Sequence, residues 1–238
     1  MRINSPSPNF DERGAAPIDI LLLHYTGMRS AAEALARLCD VHAKVSAHYM
    51  IDEDGTVFAL VPEDKRAWHA GVAFWRGARD INARSIGIEL VNPGHEFGYR
   101  AFPRAQILAL LDLSREIVAR HGIAPARVLG HSDVAPARKT DPGEKFPWGS
   151  LARAGIGLAP ETGAGERLAR AGQSSGLVLE IQKLLASIGY NAPETGVFCS
   201  YTECIMRAFQ RHYRPQRVDG VLDAATLNAL TRIAAARR

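Results

Sequence analysis

The stretch Ile18–His24, which reads IDILLLH, decides the fold. A nearly continuous apolar run predicts a strand that is covered on both faces, as the central strands of α/β sheets are. The run ends on His24, so the strand is expected to place an imidazole at its carboxyl end. Strand ends of this kind are common places for chemistry.

Helix and hairpin signals follow this strand. Ser30 and Glu33 form a capping-box pattern, which predicts the start of a helix. Residues 46–51 have the composition of a strand, and the pair Asp54-Gly55 predicts a tight turn into a second strand over residues 56–60. The first half of the chain is therefore expected to contain a β-hairpin beside the central strand.

Further elements bring polar side chains to strand ends. Residues 85–91 alternate, which places Glu89 on the face opposite the apolar side chains. Residues 103–120 have apolar positions at helical spacing, and residues 127–130 form a short strand that leads into His131. The predicted fold class is α/β, with a mixed central sheet flanked by helices.

The C-terminal quarter of the chain has a different pattern. Residues 151–175 are rich in Gly, Ala, Ser and Arg with little apolar periodicity, which is typical of a linker. Three helical patterns follow over residues 177–188, 202–213 and 224–235. We therefore predict a domain over 1–150, a linker over 151–175 and a small three-helix bundle over 176–238.

Composition and charge exclude several classes of partner. The chain of 238 residues is 47% hydrophobic and 23% charged, with a net charge of +4 whose surplus lies towards the C-terminus. That surplus is too small to predict nucleic-acid binding, which needs a dense basic stripe with stacking aromatics. No apolar stretch is long enough to span a membrane, and the polar residues 1–13 do not resemble a signal peptide. We expect a monomer in the cytoplasm, or in the periplasm or cell wall if the native chain begins with an export signal.

Three residues are candidate metal ligands: His24 and His131 each follow a short apolar segment, and Asp141 lies ten positions after His131. Two imidazoles and one carboxylate leave a fourth tetrahedral position open, as hydrolytic zinc sites require. Glu89 and Lys139 are candidates for a general base and for a cation that stabilises an oxyanion. Each residue also has a simpler interpretation, because single histidines, strand glutamates and lysines are more often surface or core residues.

Six short motifs together resemble the zinc-dependent N-acetylmuramoyl-L-alanine amidases. They stand in the expected order over about residues 15–150 and read LHYTG (Leu23–Gly27), SAHY (Ser46–Tyr49), AWHAG (Ala67–Gly71), SIGIEL (Ser85–Leu90), GHSD (Gly130–Asp133) and KTDPG (Lys139–Gly143). The resemblance implies a mixed α/β fold of about six strands and hydrolysis of the amide bond between N-acetylmuramic acid, or its 1,6-anhydro form, and L-alanine. It also implies that His24, His131 and Asp141 hold Zn²⁺, that Glu89 is the general base and that Lys139 stabilises the tetrahedral intermediate.

The same resemblance suggests residues that contact the substrate. Trp68 and His69 look like pocket residues, and His48 and Asn82 are further candidates, although Trp68 and His48 could equally be structural. Some recycling relatives carry an arginine two positions before the asparagine, where this chain has Asp80. A stem-peptide carboxylate is therefore expected to be held differently here.

The C-terminal bundle resembles the three-helix peptidoglycan-binding modules attached to wall hydrolases. The motifs that carry the resemblance are IQKLL (Ile181–Leu185), TGVF (Thr195–Phe198), AFQR (Ala208–Arg211) and VDGV (Val218–Val221). Such a module would raise the local substrate concentration by tethering, whereas the simpler interpretation is a structural bundle.

Three alternatives in function stay open at this point. A non-catalytic peptidoglycan recognition protein shares the implied fold, but such proteins often lack a zinc ligand, and this chain has all three. A general zinc peptidase is disfavoured because the chain has no HExxH helix. The module favours the intact wall as substrate, while the missing signal peptide favours anhydro-muropeptides in cell-wall recycling, which we take as the expectation.

Overall fold

The computed structural model describes residues 1–161 and 163–236. Within these residues the strands are β1 (Arg2–Asn4), β2 (Phe10–Glu12), β3 (Ile20–Tyr25), β4 (Tyr49–Ile51), β5 (Val57–Ala59), β6 (Lys65–Ala67), β7 (Ser85–Leu90), β8 (Val128–Gly130), β9 (Arg167–Ala169) and β10 (Leu222–Asp223). The helices are α1 (Ala31–Cys39), α2 (Gly94–Phe97), α3 (Arg104–His121), α4 (His131–Val134), α5 (Trp148–Arg153), α6 (Gly176–Ile188), α7 (Ser200–Tyr213) and α8 (Ala224–Ala235).

Six strands form one mixed sheet in the order β1-β5-β4-β7-β3-β8. The predicted hairpin is the antiparallel pair β4 and β5, and the other neighbours are parallel. The fold class predicted from the sequence is confirmed. Because β7, β3 and β8 are parallel neighbours, their carboxyl ends lie at the same edge of the sheet, and the side chains at these ends are brought together.

Both faces of the sheet are covered, as the apolar run predicts. On one face, Leu21 and Leu23 belong to the core that contains the inward side chains of α3. On the other face, Ile20 and Leu22 belong to a cluster that continues into α6, α7 and α8. Alternate residues of β3 thus pack into two different cores, and His24 lies on the same face of the sheet as Ile20 and Leu22.

Two strands begin at least two residues later than the sequence predicts, and polar side chains near their predicted starts bind elsewhere. β3 begins at Ile20 instead of residue 18, and the Asp19 carboxylate pairs with Arg84 and Arg127. β4 begins at Tyr49 instead of residue 46, and the Ser46 hydroxyl donates to a backbone carbonyl 2.6 Å away and accepts a backbone N–H at 2.8 Å. Both segments connect loops to the sheet.

The three predicted C-terminal helices are α6, α7 and α8. The segment predicted as a linker is partly regular, because α5 ends only at Arg153 and β9 pairs antiparallel with β10. The C-terminal helices pack on the sheet domain through the shared apolar cluster. Composition alone did not predict β9, because polar and small residues can still form a short strand where a partner strand is available. The domain boundaries stay a prediction.

None of the helices in residues 1–161 and 163–236 has the length and apolar character needed to cross a membrane. Cys39, Cys199 and Cys204 are free and half-buried.

Candidate metal centre

Three donor atoms meet at the carboxyl ends of β3 and β8. The Nδ1 atoms of His24 and His131 lie 2.9 Å apart, and Asp141 Oδ2 lies 3.1 Å from each of them. His24 stands near the end of β3, and His131 is the first residue of α4, directly after β8. All three side chains are buried. The structure therefore brings together the three ligands predicted from the sequence, as a cluster that could hold a metal ion.

The spacing of these atoms fits a small tetrahedral ion. Donors bound at about 2.0 Å from Zn²⁺ in tetrahedral geometry lie about 3.3 Å from one another, close to the spacing seen here. Two imidazoles and a carboxylate are also a donor set that zinc favours when a fourth position stays open. His24, His131 and Asp141 would hold the ion.

The remaining ring nitrogens of the histidines are held by the protein. His131 Nε2 lies 2.9 Å from the carbonyl oxygen of Ala70, which can only accept a hydrogen bond. The proton of His131 is therefore on Nε2, and Nδ1 presents a lone pair to the cluster. His24 Nε2 lies 3.1 Å from His69 Nδ1, so that His69 can hold the ring of His24 in the same way.

His69 reaches this position because β7 has a glycine beneath it. A Cβ atom at Gly87 would lie 2.6 Å from carbons of the His69 ring, so no larger residue fits without displacing the ring. His69 is buried, and its Nε2 is 3.5 Å from the Ser85 hydroxyl, which itself donates to a backbone carbonyl. Gly87 and Ser85 thus shape the space under the metal site.

Burial keeps the imidazoles of His24 and His69 neutral. Burial, with the nearby His131, lowers the pKa of His24 to about 4, although Asp141 raises it. Burial also lowers the pKa of His69 well below its usual value. Burial alone would raise the pKa of Asp141, but His131 and His24 outweigh it and the net direction is downward. A neutral imidazole and an ionised carboxylate are the forms that bind a metal.

Glu89 stands next to the cluster on the neighbouring strand. The parallel register of β3 and β7 places Glu89 directly beside His24, on the same face of the sheet. Its side chain is 9% exposed, and within the described residues its Oε2 is buried without a hydrogen-bond partner. It also lines a cleft with Thr26, Met28 and Leu38. A buried carboxylate oxygen without a partner requires a functional explanation.

Burial sets the protonation of Glu89. Burial raises its pKa well above the usual value, Asp141 raises it further, and the Lys139 ammonium lowers it. A carboxylate with a raised pKa is suited to accept a proton and to donate it again near neutral pH. The chemistry that this group can perform is therefore proton transfer at the edge of the donor cluster.

Lys139 lies on the segment that leads to Asp141. Its backbone N–H donates to the carbonyl of Ala135 at 2.9 Å, which ends the turn after α4. The side chain is half-buried, and its charge lowers the pKa values of both His24 and Glu89. Lys139 therefore acts electrostatically on the site.

The four predicted substrate-binding residues differ in burial and in their hydrogen-bond partners. Trp68 is half-exposed, and its indole donates to Asp11 at 2.7 Å. The side chain of His48 is completely buried, with Nε2 2.7 Å from an Arg13 nitrogen and Nδ1 accepting from the backbone of Gly87.

The buried carbonyl oxygen of the Asn82 side chain accepts the backbone N–H groups of residues 69 and 70, which fixes the loop that carries His69. The burial of Asn82, His48 and His69 favours a supporting role for these three. Their contact with substrate stays a prediction, as does that of Trp68.

Sequence reasoning missed three supporting residues. Arg13 is buried and donates to five backbone carbonyls besides its contact with His48, so it joins the N-terminal segment to the sheet. Arg138 donates to the carbonyls of Ala70 and Val72 and thereby holds the loop next to His131. Asp133 accepts the backbone N–H of residue 130, at 2.8 Å. An acidic residue three positions after the end of β8 is a capping signal, which could have pointed to Asp133.

A mixed α/β sheet carries a buried His-His-Asp cluster that could hold a metal ion, with a carboxylate beside it, and this is the combination of groups that a hydrolase site needs. Comparison with known families makes the class specific. The family model described as N-acetylmuramoyl-L-alanine amidase matches residues 14–144, more than half of the chain, and a model of a peptidoglycan-binding domain matches residues 174–230. The chain belongs to the N-acetylmuramoyl-L-alanine amidase family.

Individual relatives agree with this assignment. The N-acetylmuramoyl-L-alanine amidase AmiD of Escherichia coli (strain K12) is 38% identical over 226 residues, which cover 88% of this chain and 79% of AmiD. The 1,6-anhydro-N-acetylmuramyl-L-alanine amidase AmpD of the same organism is 42% identical over 107 residues, 45% of this chain and 56% of AmpD.

Solved structures share the fold over nearly the whole chain. A complex of Escherichia coli AmiD with anhydro-N-acetylmuramic acid-L-Ala-D-gamma-Glu-L-Lys has a TM-score of 0.80 at 33% identity and covers 95% of this chain and 93% of its own. AmpDh3 from Pseudomonas aeruginosa has a TM-score of 0.77 at 31% identity and covers 97% of this chain and 94% of its own.

Proposed function

We propose that this chain is a zinc-dependent amidase that hydrolyses the bond between the lactyl group of N-acetylmuramic acid and L-alanine in peptidoglycan fragments. The observation that carries the proposal is the triangle of donor atoms from His24, His131 and Asp141, with sides of 2.9 to 3.1 Å and Glu89 beside it. The names of the relatives support the choice of substrate class.

The two histidines and Asp141 would hold the zinc ion. When bound, zinc supplies a Lewis acid that polarises a carbonyl and lowers the pKa of water towards neutrality. Ala70 and His69 keep the imidazole protons on the nitrogens that face away from the donor triangle. Residues beneath the site therefore contribute orientation, and the buried setting excludes competing water.

Glu89 and Lys139 carry the proton transfer and the charge stabilisation. Glu89 accepts a proton from the attacking water while the water oxygen bonds to the carbonyl carbon. Glu89 then donates that proton to the departing amine of L-alanine. The Lys139 ammonium stabilises the negative charge that develops on the carbonyl oxygen. The raised pKa of Glu89 supports both halves of its role, because the group must bind and release the same proton.

The proposed substrate form is the 1,6-anhydro-muropeptide of cell-wall recycling. The AmpD name specifies this sugar, and the solved AmiD complex contains it. Asp80, which stands where some recycling relatives carry an arginine, pairs with Arg66 through both of its oxygens. Arg66 supplies a cation close to that position, although Asp11 also binds it.

The test is an assay on two substrates, anhydro-muramyl tripeptide and intact sacculi, with released peptides identified by mass spectrometry. We expect chelator-sensitive release of peptides that begin with L-alanine, restored by zinc, and faster release from the tripeptide. Faster release from sacculi would instead support action at the cell wall. Retention of sacculi without release from either substrate would contradict the proposal and favour a non-catalytic recognition protein.

A further inference from the structure

A buried carboxylate joins the sheet domain to the C-terminal helices. Asp133 is 1% exposed and takes part in three hydrogen bonds. Its Oδ2 accepts the backbone N–H of Gly130 at 2.8 Å and lies 2.7 Å from His212 Nδ1. Its Oδ1 accepts the hydroxyl of Tyr190 at 2.6 Å. His212 belongs to α7, and Tyr190 follows α6, so two of the three donors come from the C-terminal bundle.

Asp133 lies on the same short helix as a metal ligand. Helix α4 consists of four residues, His131–Val134, so Asp133 is two positions after His131. The backbone N–H of Ser132 donates to the carbonyl of Asp141 at 2.9 Å, which connects a second ligand to the same helix. A movement of α4 would therefore move both His131 and Asp141. A helix of one turn has little stability of its own and depends on such contacts.

Ring stacking holds His212 in place. Its ring lies 3.6 Å from that of Trp148 with an interplanar angle of 23°, and 3.8 Å from that of Tyr213 with an angle of 9°. Trp148 belongs to α5 of the sheet domain, so the imidazole is inserted between the two parts of the chain. This fixes the direction from which Nδ1 approaches Asp133.

Tyr190 is fixed in a similar way. Its ring meets Trp75 edge to face, with centroids 4.9 Å apart, and both rings are buried. A Cβ atom at the preceding Gly189 would lie 2.6 Å from the Trp75 ring, so the turn after α6 packs closely on the sheet domain. The hydroxyl of Tyr190 therefore approaches Asp133 from a rigid support.

We propose that His212 and Tyr190 are positioning residues of the metal centre, which act through Asp133 to hold α4 and its ligand His131. The C-terminal bundle is thereby a structural part of the catalytic unit, in addition to any contact it makes with peptidoglycan. The inference rests on the proposed function in that the cluster must hold a metal, but it concerns metal affinity and does not require a particular substrate. Loss of a hydrogen-bond donor leaves a buried carboxylate oxygen unsatisfied at a cost in free energy, and a shift of the carboxylate towards another donor relieves that cost.

The test compares zinc affinities of full-length variants by competition with a chromophoric chelator, at a temperature where circular dichroism shows each variant folded. His212→Leu removes the donor, and Tyr190→Phe removes a single oxygen. We expect each to weaken zinc binding roughly tenfold, the lower end of the effect of outer-shell changes. His212→Asn should restore affinity to about the wild-type level, because its amide N–H₂ stands where Nδ1 stands in the imidazole.

Arg214→Gln provides the matched control. Arg214 is a buried residue of the same bundle that pairs with Asp223 at 2.7 Å, and its hydrogen-bond partners lie elsewhere than Asp133. The Arg214→Gln substitution should lower the melting temperature and leave zinc affinity unchanged. Wild-type affinity in both His212→Leu and Tyr190→Phe would overturn the inference, and so would equal weakening by Arg214→Gln.

Failure of the proposed function gives a different result. A wild-type protein that binds zinc tightly and releases no peptide would refute the amidase activity, while the ranking of zinc affinities among the variants would still decide the positioning role. An active amidase whose zinc affinity is the same in every variant would refute the positioning role alone.

Discussion

Glu89→Gln should lower kcat on anhydro-muramyl tripeptide by about 10²- to 10⁴-fold, the usual contribution of a general base. The amide is nearly the same size as the carboxylate but cannot accept the proton of the attacking water. Zinc binding should stay close to that of the wild type, because the donor triangle consists of His24, His131 and Asp141 and does not include Glu89. Steady-state kinetics and the zinc content per chain measure the two properties separately.

Glu116→Gln is the control for this change. Glu116 is half-exposed on α3 and pairs with Arg2 at 3.0 Å, on a part of the surface formed by β1 and α3. The Glu116→Gln substitution should leave both kcat and zinc content unchanged. A Glu89→Gln protein that keeps kcat within tenfold of the wild type would remove Glu89 as the base.

Asp141→Asn should abolish zinc retention and, with it, activity. The substitution replaces an anionic donor by a neutral amide while its backbone carbonyl can still accept from Ser132. Loss of a direct ligand should weaken zinc binding by more than the roughly 10- to 100-fold that outer-shell changes cause. Zinc content after gel filtration and competition titration measure the effect.

Asp112→Asn is the matched control, because Asp112 is an exposed residue of α3 that pairs with Arg115 at 2.9 Å. It should behave as the wild type in both measurements. An Asp141→Asn protein that retains one zinc per chain and full kcat would show that the donor triangle is not the site of the metal.

Much of the fold could be predicted from local patterns. The run Ile18–His24 predicts a central strand because, among strands, those covered on both faces are apolar at successive positions. Gly122 adopts a φ of 63° directly after α3, as expected of a glycine that ends a helix. The meeting of His24 and His131 was also predictable, because each follows a short apolar segment and parallel strands end at one edge. Asp141 follows the polar residues Arg138-Lys139-Thr140, so its place in the cluster was indicated by the family resemblance alone.

The supporting contacts could not be predicted, because they join residues far apart in the chain. Asp133 and His212 are separated by 79 positions, and no local pattern relates them. His69 was expected in a substrate pocket, but its place beneath His24 depends on the missing side chain at Gly87 across the sheet. The strand β9 could not be predicted from the composition of residues 151–175, because a strand of three residues needs β10 to form.

The most direct test of the central claim is hydrolysis of anhydro-muramyl tripeptide by the zinc-loaded protein in heavy-oxygen water. We expect the heavy oxygen to appear in the lactyl carboxylate of the released anhydro-muramic acid, the released peptide to begin with an unlabelled L-alanine amine, and a chelator to stop both. Label in a carboxylate of the peptide, or cleavage at any other bond, would contradict the assignment of this chain as an amidase of the lactyl–alanine bond.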